Sequence, residues 1–100
     1  MLWAIVCLDG PAAPALRAQH LAAHRAHLMA AEDRLAFGAA MQSDDGSAAI
    51  GTLLIVAADS RADAQSLIDA DPFARHGVFA SITVSSLRKG LVGAALQQKN

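Results

Sequence analysis

Three of the four histidines, His20, His24 and His27, fall within LRAQHLAAHRAHLMAA, the segment from Leu16 to Ala31. On a helix, spacings of four and three residues bring all three within an arc of about 60°. Histidine titrates near neutrality without special help, so such a stripe offers proton transfer, metal binding or a polar lining to a cleft. The spacing leaves all three open. Arg17 lies on nearly the same face, where its paired donors suit a carboxylate or phenolate ligand as well as a surface salt bridge.

An i, i+4 pair of histidines can ligate zinc, but a metal also needs convergent geometry and supporting partners that one exposed helix seldom supplies. We therefore expect no metal and no cofactor. His76, between Arg75 and Gly77, reads as a residue facing water. Cys7 is the lone cysteine and sits in an apolar run, which excludes an internal disulfide and reads as a buried, inert thiol. There is no phosphate-binding glycine loop, nucleophile elbow or dinucleotide fingerprint in the chain, so nothing supports nucleotide chemistry.

The elements that must position these groups follow from patterning. Leu2 to Leu8 is an apolar, partly β-branched strand closed by Asp9-Gly10-Pro11. Pro14 suits the first turn of a helix running from Ala15 to about Arg34, with Leu21, Leu28 and Leu35 as its core-facing stripe. Leu35 to Met41 forms a second strand, Ser43 to Ser47 a turn, and Ile50 to Ala57 a third strand. Ser60 is the expected N-cap of a second helix, with Asp63 at the positive end of its dipole. That helix stops near Ala70, because Pro72 disfavours helical geometry at Asp71. After Gly77, VFASITV alternates as a fourth strand.

The order β-α-β-β-α-β is the split βαβ pattern, an α+β ferredoxin-like domain with a four-stranded antiparallel sheet. Its helices cover one face, so the other calls for a second copy packed sheet to sheet, giving a homodimer. One hundred residues suit a single domain, with residues 1–89 as core and 90–100 as a tail that touches the dimer partner and ends in a disordered polar stub. The chain is 54% hydrophobic and 17% charged, with a net charge of −1, and its eight Lys and Arg residues are scattered. That composition argues against nucleic-acid and acidic-membrane partners. MLWAIVCL lacks a positive leader and is too short to span a bilayer, so a cytoplasmic protein is expected.

Over about its first ninety residues the chain resembles the YCII-related domain family of small dimeric α+β barrels. The opening LWAIVCLD, Arg17 and His24 followed by Leu28, Asp33 and Leu35, and the segment Asp71-Pro72-Phe73 with Gly77 and Phe79 carry the resemblance. Two positions depart from the family pattern: Leu21 stands where an arginine often precedes the histidine, and Ala39-Ala40 replaces a Gly-Pro. The resemblance implies that His24 and Asp71 share a cleft as acid/base residues. Around that pair we expect a small-molecule ligand to lie near Arg17, His20, His27, Phe73 and Phe79. Some relatives are dehydrochlorinases of chlorinated aromatic diols, and the fold is shared with muconolactone isomerases. Lyase or isomerase chemistry on a small aromatic or unsaturated acid is therefore one expectation, and a non-catalytic binding or accessory module the other. A carboxylate beside an imidazole fixes its tautomer, which favours proton exchange. Equally, Asp71 can simply cap a turn through its own backbone, leaving His24 a satisfied boundary histidine.

Overall fold

The structure, a computed structural model, describes residues 1–97. The chain runs through β1 (Leu2–Asp9), α1 (Ala13–Ala30), β2 (Leu35–Gln42), β3 (Ala49–Ala57), α2 (Arg61–Asp69), α3 (Pro72–Arg75) and β4 (Phe79–Leu87), then closes in a short 3-10 turn, Ala94–Gln97. The strands form one sheet in the order β2-β3-β1-β4 with every neighbouring pair antiparallel, the ferredoxin-like arrangement. The expected polar stub at residues 98–100 lies outside the described residues.

Alternation along β1 sets the two faces of the sheet. Trp3, Ile5 and Cys7 are buried beneath the helices, and Ile5 pairs with Leu54 on one side and Val84 on the other. These residues, with Val56, Ala64, Leu67 and Ile68, form the main core. A smaller cluster of Ala13, Phe73 and Val78 lies beneath the start of α1. Leu2, Ala4, Val6 and Leu8 point to the opposite face, in register with Ala57, Ile55, Leu53 and Gly51. Among the described residues no helix covers that face, and Leu8 and Leu87 are among its exposed apolar residues.

The first helix ends at Ala30, four residues before the expected Arg34. Short bonds from Ala31 N–H to the Leu28 carbonyl and from Arg34 N–H to the Ala31 carbonyl tighten the exit. Ala57 N–H then captures the Arg34 carbonyl at 2.8 Å, so sheet pairing takes over a segment whose local propensity is helical. The expected leucine stripe is also corrected. Leu28 and Leu35 pack against the core, but Leu21 is exposed, because α1 turns His24 and Ala31 inward instead.

The second correction is α3. Pro72 ends the preceding helix, but it also occupies the first turn of a new one, where its missing N–H costs nothing. Asp71 is extended and caps that turn, and Gly77 at φ +82° leads the chain out into β4. Ser60 caps α2 as expected, accepting from Asp63 N–H at 3.2 Å. Between β2 and β3, Asp45 accepts from both Ser43 and Ser47, and those bonds, led by the Ser47 hydroxyl, hold its carboxyl down to about 2.

Gly51 lies opposite Leu8 in β1, where a Cβ would overlap the Cys7 carbonyl oxygen and stand 3.0 Å from Met41 Cε. A side chain there must displace backbone in the middle of the sheet, whereas one at Gly90 meets nothing within 4 Å. We expect Gly51→Ala to cost about 1–3 kcal/mol in urea unfolding, with Gly90→Ala within about 0.5 kcal/mol of wild type. Equal midpoints for the two variants would refute the close approach.

Candidate active site

Asp71 both caps a turn and pairs with His24. Its Oδ1 accepts from Phe73 N–H at 2.9 Å, capping α3, and its carboxylate receives His24 Nδ1 at 2.8 and 2.9 Å. The residue is 0% exposed and His24 8%, so the pair is shielded from water. A carboxylate accepts, so Nδ1 carries a proton, and in the neutral ring it is Nε2 that presents a lone pair. The remaining constraint on the ring is Phe73, stacked on His24 at 3.9 Å and 5°, with Phe79 edge-on to Phe73 at 6.2 Å. Among the described residues no buried side-chain nitrogen or oxygen lacks a partner.

Arg17, one helical repeat before His24, is held by four bonds. Nε and Nη2 form a fork on Asp9 at 2.8 and 2.9 Å, and Nη2 also reaches the Gly51 carbonyl at 2.9 Å and Thr52 Oγ1 at 3.1 Å. Its guanidinium carbon lies 5.1 Å from the Phe73 ring centroid, within cation-π range. The arginine therefore joins α1 to the end of β1 and to β3, and sets the depth of the cleft beside it.

That cleft, about 280 Å³, is lined by Arg17, Leu21, His24, Arg25, Leu28, Gly38, Ala39, Ala40, Thr52 and Phe73. Its size suits a single-ring ligand. A wider recess of about 570 Å³ lies near the other end of α1, between Arg34, Asp59 and Asp63. The buried His24–Asp71 pair borders the smaller cleft and not this recess.

The three histidines of the stripe separate. His20 stacks on His76 at 3.8 Å and 4°, outside the cleft lining. His27 donates Nε2–H to the Leu67 carbonyl at 2.7 Å and borders the wider recess. Phe79 supports Phe73 from behind and does not reach the cleft. Of the expected ligand-binding residues, Arg17 and Phe73 line the cleft with His24, while His20, His27 and Phe79 lie outside its lining. His76 is exposed, in accord with expectation, although its ring is covered on one face by His20.

Asp9, Thr52 and Arg25 are the site's unforeseen members. An acid at the edge of an apolar strand was the available signal for Asp9, since such a charge needs a partner. Cys7 is fully buried, and desolvation, followed by the negative charge of Asp71, pushes its thiol from the ordinary 9.0 up to about 12. It is no nucleophile at neutral pH.

A split βαβ domain whose helix layer encloses a buried His–Asp pair beside a small-molecule-sized cleft defines a class of compact α+β proteins built around one polar site. The chain belongs to the YCII-related domain family, whose model matches residues 1–88. Among solved structures it is similar to 5-chloro-2-hydroxyhydroquinone dehydrochlorinase from Burkholderia phenoliruptrix, in complex with 2,5-dihydroxybenzoquinone, with 29% identity and a TM-score of 0.82. The match covers 90% of this chain and 96% of that one. No curated protein matches the chain. Among the described residues, no helix is long and apolar enough to cross a membrane.

Removing the carboxylate at position 71 strands two donors in a dry site, His24 Nδ1–H and Phe73 N–H. We expect Asp71→Ala to lose about 3 kcal/mol of stability, and Asp71→Asn, which retains one acceptor oxygen, about half of that. Urea unfolding of both variants checks this, and equal losses below about 1 kcal/mol would contradict the double role.

Proposed function

We propose that the protein is a small-molecule enzyme of the lyase or isomerase type, acting on a planar aromatic or unsaturated acid. His24 Nε2 is the general base and, on the return step, the acid. Asp71 holds the imidazole in the tautomer that leaves Nε2 free and stabilises the imidazolium as it forms. In an elimination of this kind, Nε2 takes a proton from the substrate, the released electron pair moves into the ring system, and a carbon–halogen bond breaks to release halide. In an isomerisation the same proton returns to a different carbon. The observation that carries the reading is the pairing of His24 Nδ1 with a fully buried carboxylate at the edge of a cleft lined by the same imidazole. The similarity to a dehydrochlorinase supports it.

A second reading, a module that binds a ligand without turning it over, draws on Arg17, whose bonds to Asp9, Gly51 and Thr52 commit it to the scaffold. Turnover separates the two. In a screen of chlorinated hydroxyquinols and unsaturated lactones, we expect wild type to react and His24→Ala to lose kcat by about a hundredfold or more. Wild type and His24→Ala that are equally inert across the screen would establish the module.

We also propose that the uncovered sheet face is closed by a second copy. Leu2, Val6, Leu8, Leu53 and Ile55 form an apolar surface there, with Phe37 and Met41 of β2 beside them. A surface this apolar is unusual on a monomer, and two twisted sheets pack well face to face. Light scattering at micromolar concentration should give twice the chain mass of 10.3 kDa, and a stable monomer would overturn the arrangement.

A further inference from the structure

We infer that Arg25 is the charge-selecting residue of the cleft, so that the ligand it takes is an anion, a carboxylate or phenolate on a planar ring. This inference rests on the proposed use of the His24 cleft. The wall formed by α1 carries Arg17, Leu21 and Arg25 at successive four-residue steps, which places them in one row along the helix. The two arginines at the ends of that row differ in what they have left to offer.

Arg17 is spent on the scaffold: Asp9 neutralises it through a fork, and Gly51 and Thr52 take further donors. A ligand can recruit its charge only by competing with that ion pair. His24 and Asp71 likewise answer one another. Arg25 lines the same cleft, is exposed, and among the described residues has no hydrogen-bond or ion-pair partner. No acidic residue lines the cleft, and its opposite wall is the uncharged run Gly38-Ala39-Ala40. The uncompensated charge at the mouth is therefore positive and belongs to Arg25, whose guanidinium can fork onto two oxygens without breaking a native bond. A neutral ring gains none of this attraction. An anionic one is held with its ring beside His24 and Phe73.

Benzoate and benzamide, nearly the same shape with and without charge, are the probes, titrated by NMR into wild type, Arg25→Gln, Arg25→Lys and Arg88→Gln. Arg88 lies beyond β4 and outside the cleft lining, so its variant removes equal charge elsewhere. We expect wild type to favour benzoate, Arg25→Gln to reduce that preference about three- to tenfold, Arg25→Lys, which keeps the charge but not the fork, to fall between the two, and Arg88→Gln to keep most of it. Added salt should narrow it. An unchanged preference in Arg25→Gln, equal losses in Arg25→Gln and Arg88→Gln, or no preference in wild type would overturn the assignment. Because the readout is binding, a protein with no turnover but an Arg25-dependent preference loses the catalytic reading alone. Turnover with an unaltered preference in Arg25→Gln removes only the role of Arg25.

Discussion

A buried carboxylate governs the helix layer of this protein. Asp71 has no water to solvate it, and burying a charge costs several kcal/mol unless partners replace the lost hydration. Both of its partners are structural elements: the Phe73 amide belongs to α3, and the imidazole of His24 projects from the middle of α1. A helix of four residues has no stability of its own. It persists because its cap is also half of a pair with α1, because Pro72 presets its first turn, and because Gly77 lets the chain leave. The pair that orients the proposed base is thus the same pair that secures the segment beneath it.

The second anchor is the pairing of Arg17 with Asp9. A register shift between Leu8 and Asp9 brings Asp9 opposite Phe79 at the end of β1, where its carboxylate receives Arg17. That arginine then reaches the Gly51 carbonyl and Thr52 on β3, so one side chain ties α1 to two adjacent strands. Phe73 is gripped between the anchors, its ring stacked on His24 and lying within reach of the Arg17 guanidinium. Cleft width is fixed from the other side by Gly38, Ala39 and Ala40, whose small size keeps β2 from filling the space next to His24.

Most of the fold was legible because strands and helices here have distinct periods, and the run IGTLLIVA or the Ser60 cap allows one local solution. The pairing of His24 with Asp71 was legible only through the family resemblance, since 47 residues separate them and no spacing rule joins them. Three features escaped for physical reasons. The end of α1 is decided by a sheet bond from Ala57, a competitor that helix propensity does not see. Pro72 reads as a stop, but the same missing N–H that stops one helix starts another. Arg17 was open between ligand and salt bridge because its partner Asp9 sits across a turn, and its acceptors on β3 lie 34 and 35 residues away.

The histidine stripe shows how far residue type alone can carry a functional argument. His20, His24 and His27 share a helix face, yet each meets a different piece of the chain after α2 begins: an exposed ring, a buried carboxylate and a main-chain carbonyl. A carbonyl fixes a tautomer but has no charge to stabilise an imidazolium, and a stacked ring does neither. Only the carboxylate can both orient the imidazole and compensate the charge it would acquire when, in the proposed reaction, Nε2 takes a proton. Which of the three imidazoles meets a buried charge is therefore decided by what the segment from Leu67 to His76 presents to α1, and Asp71 is the one position in that segment that supplies a negative charge without exposure to water.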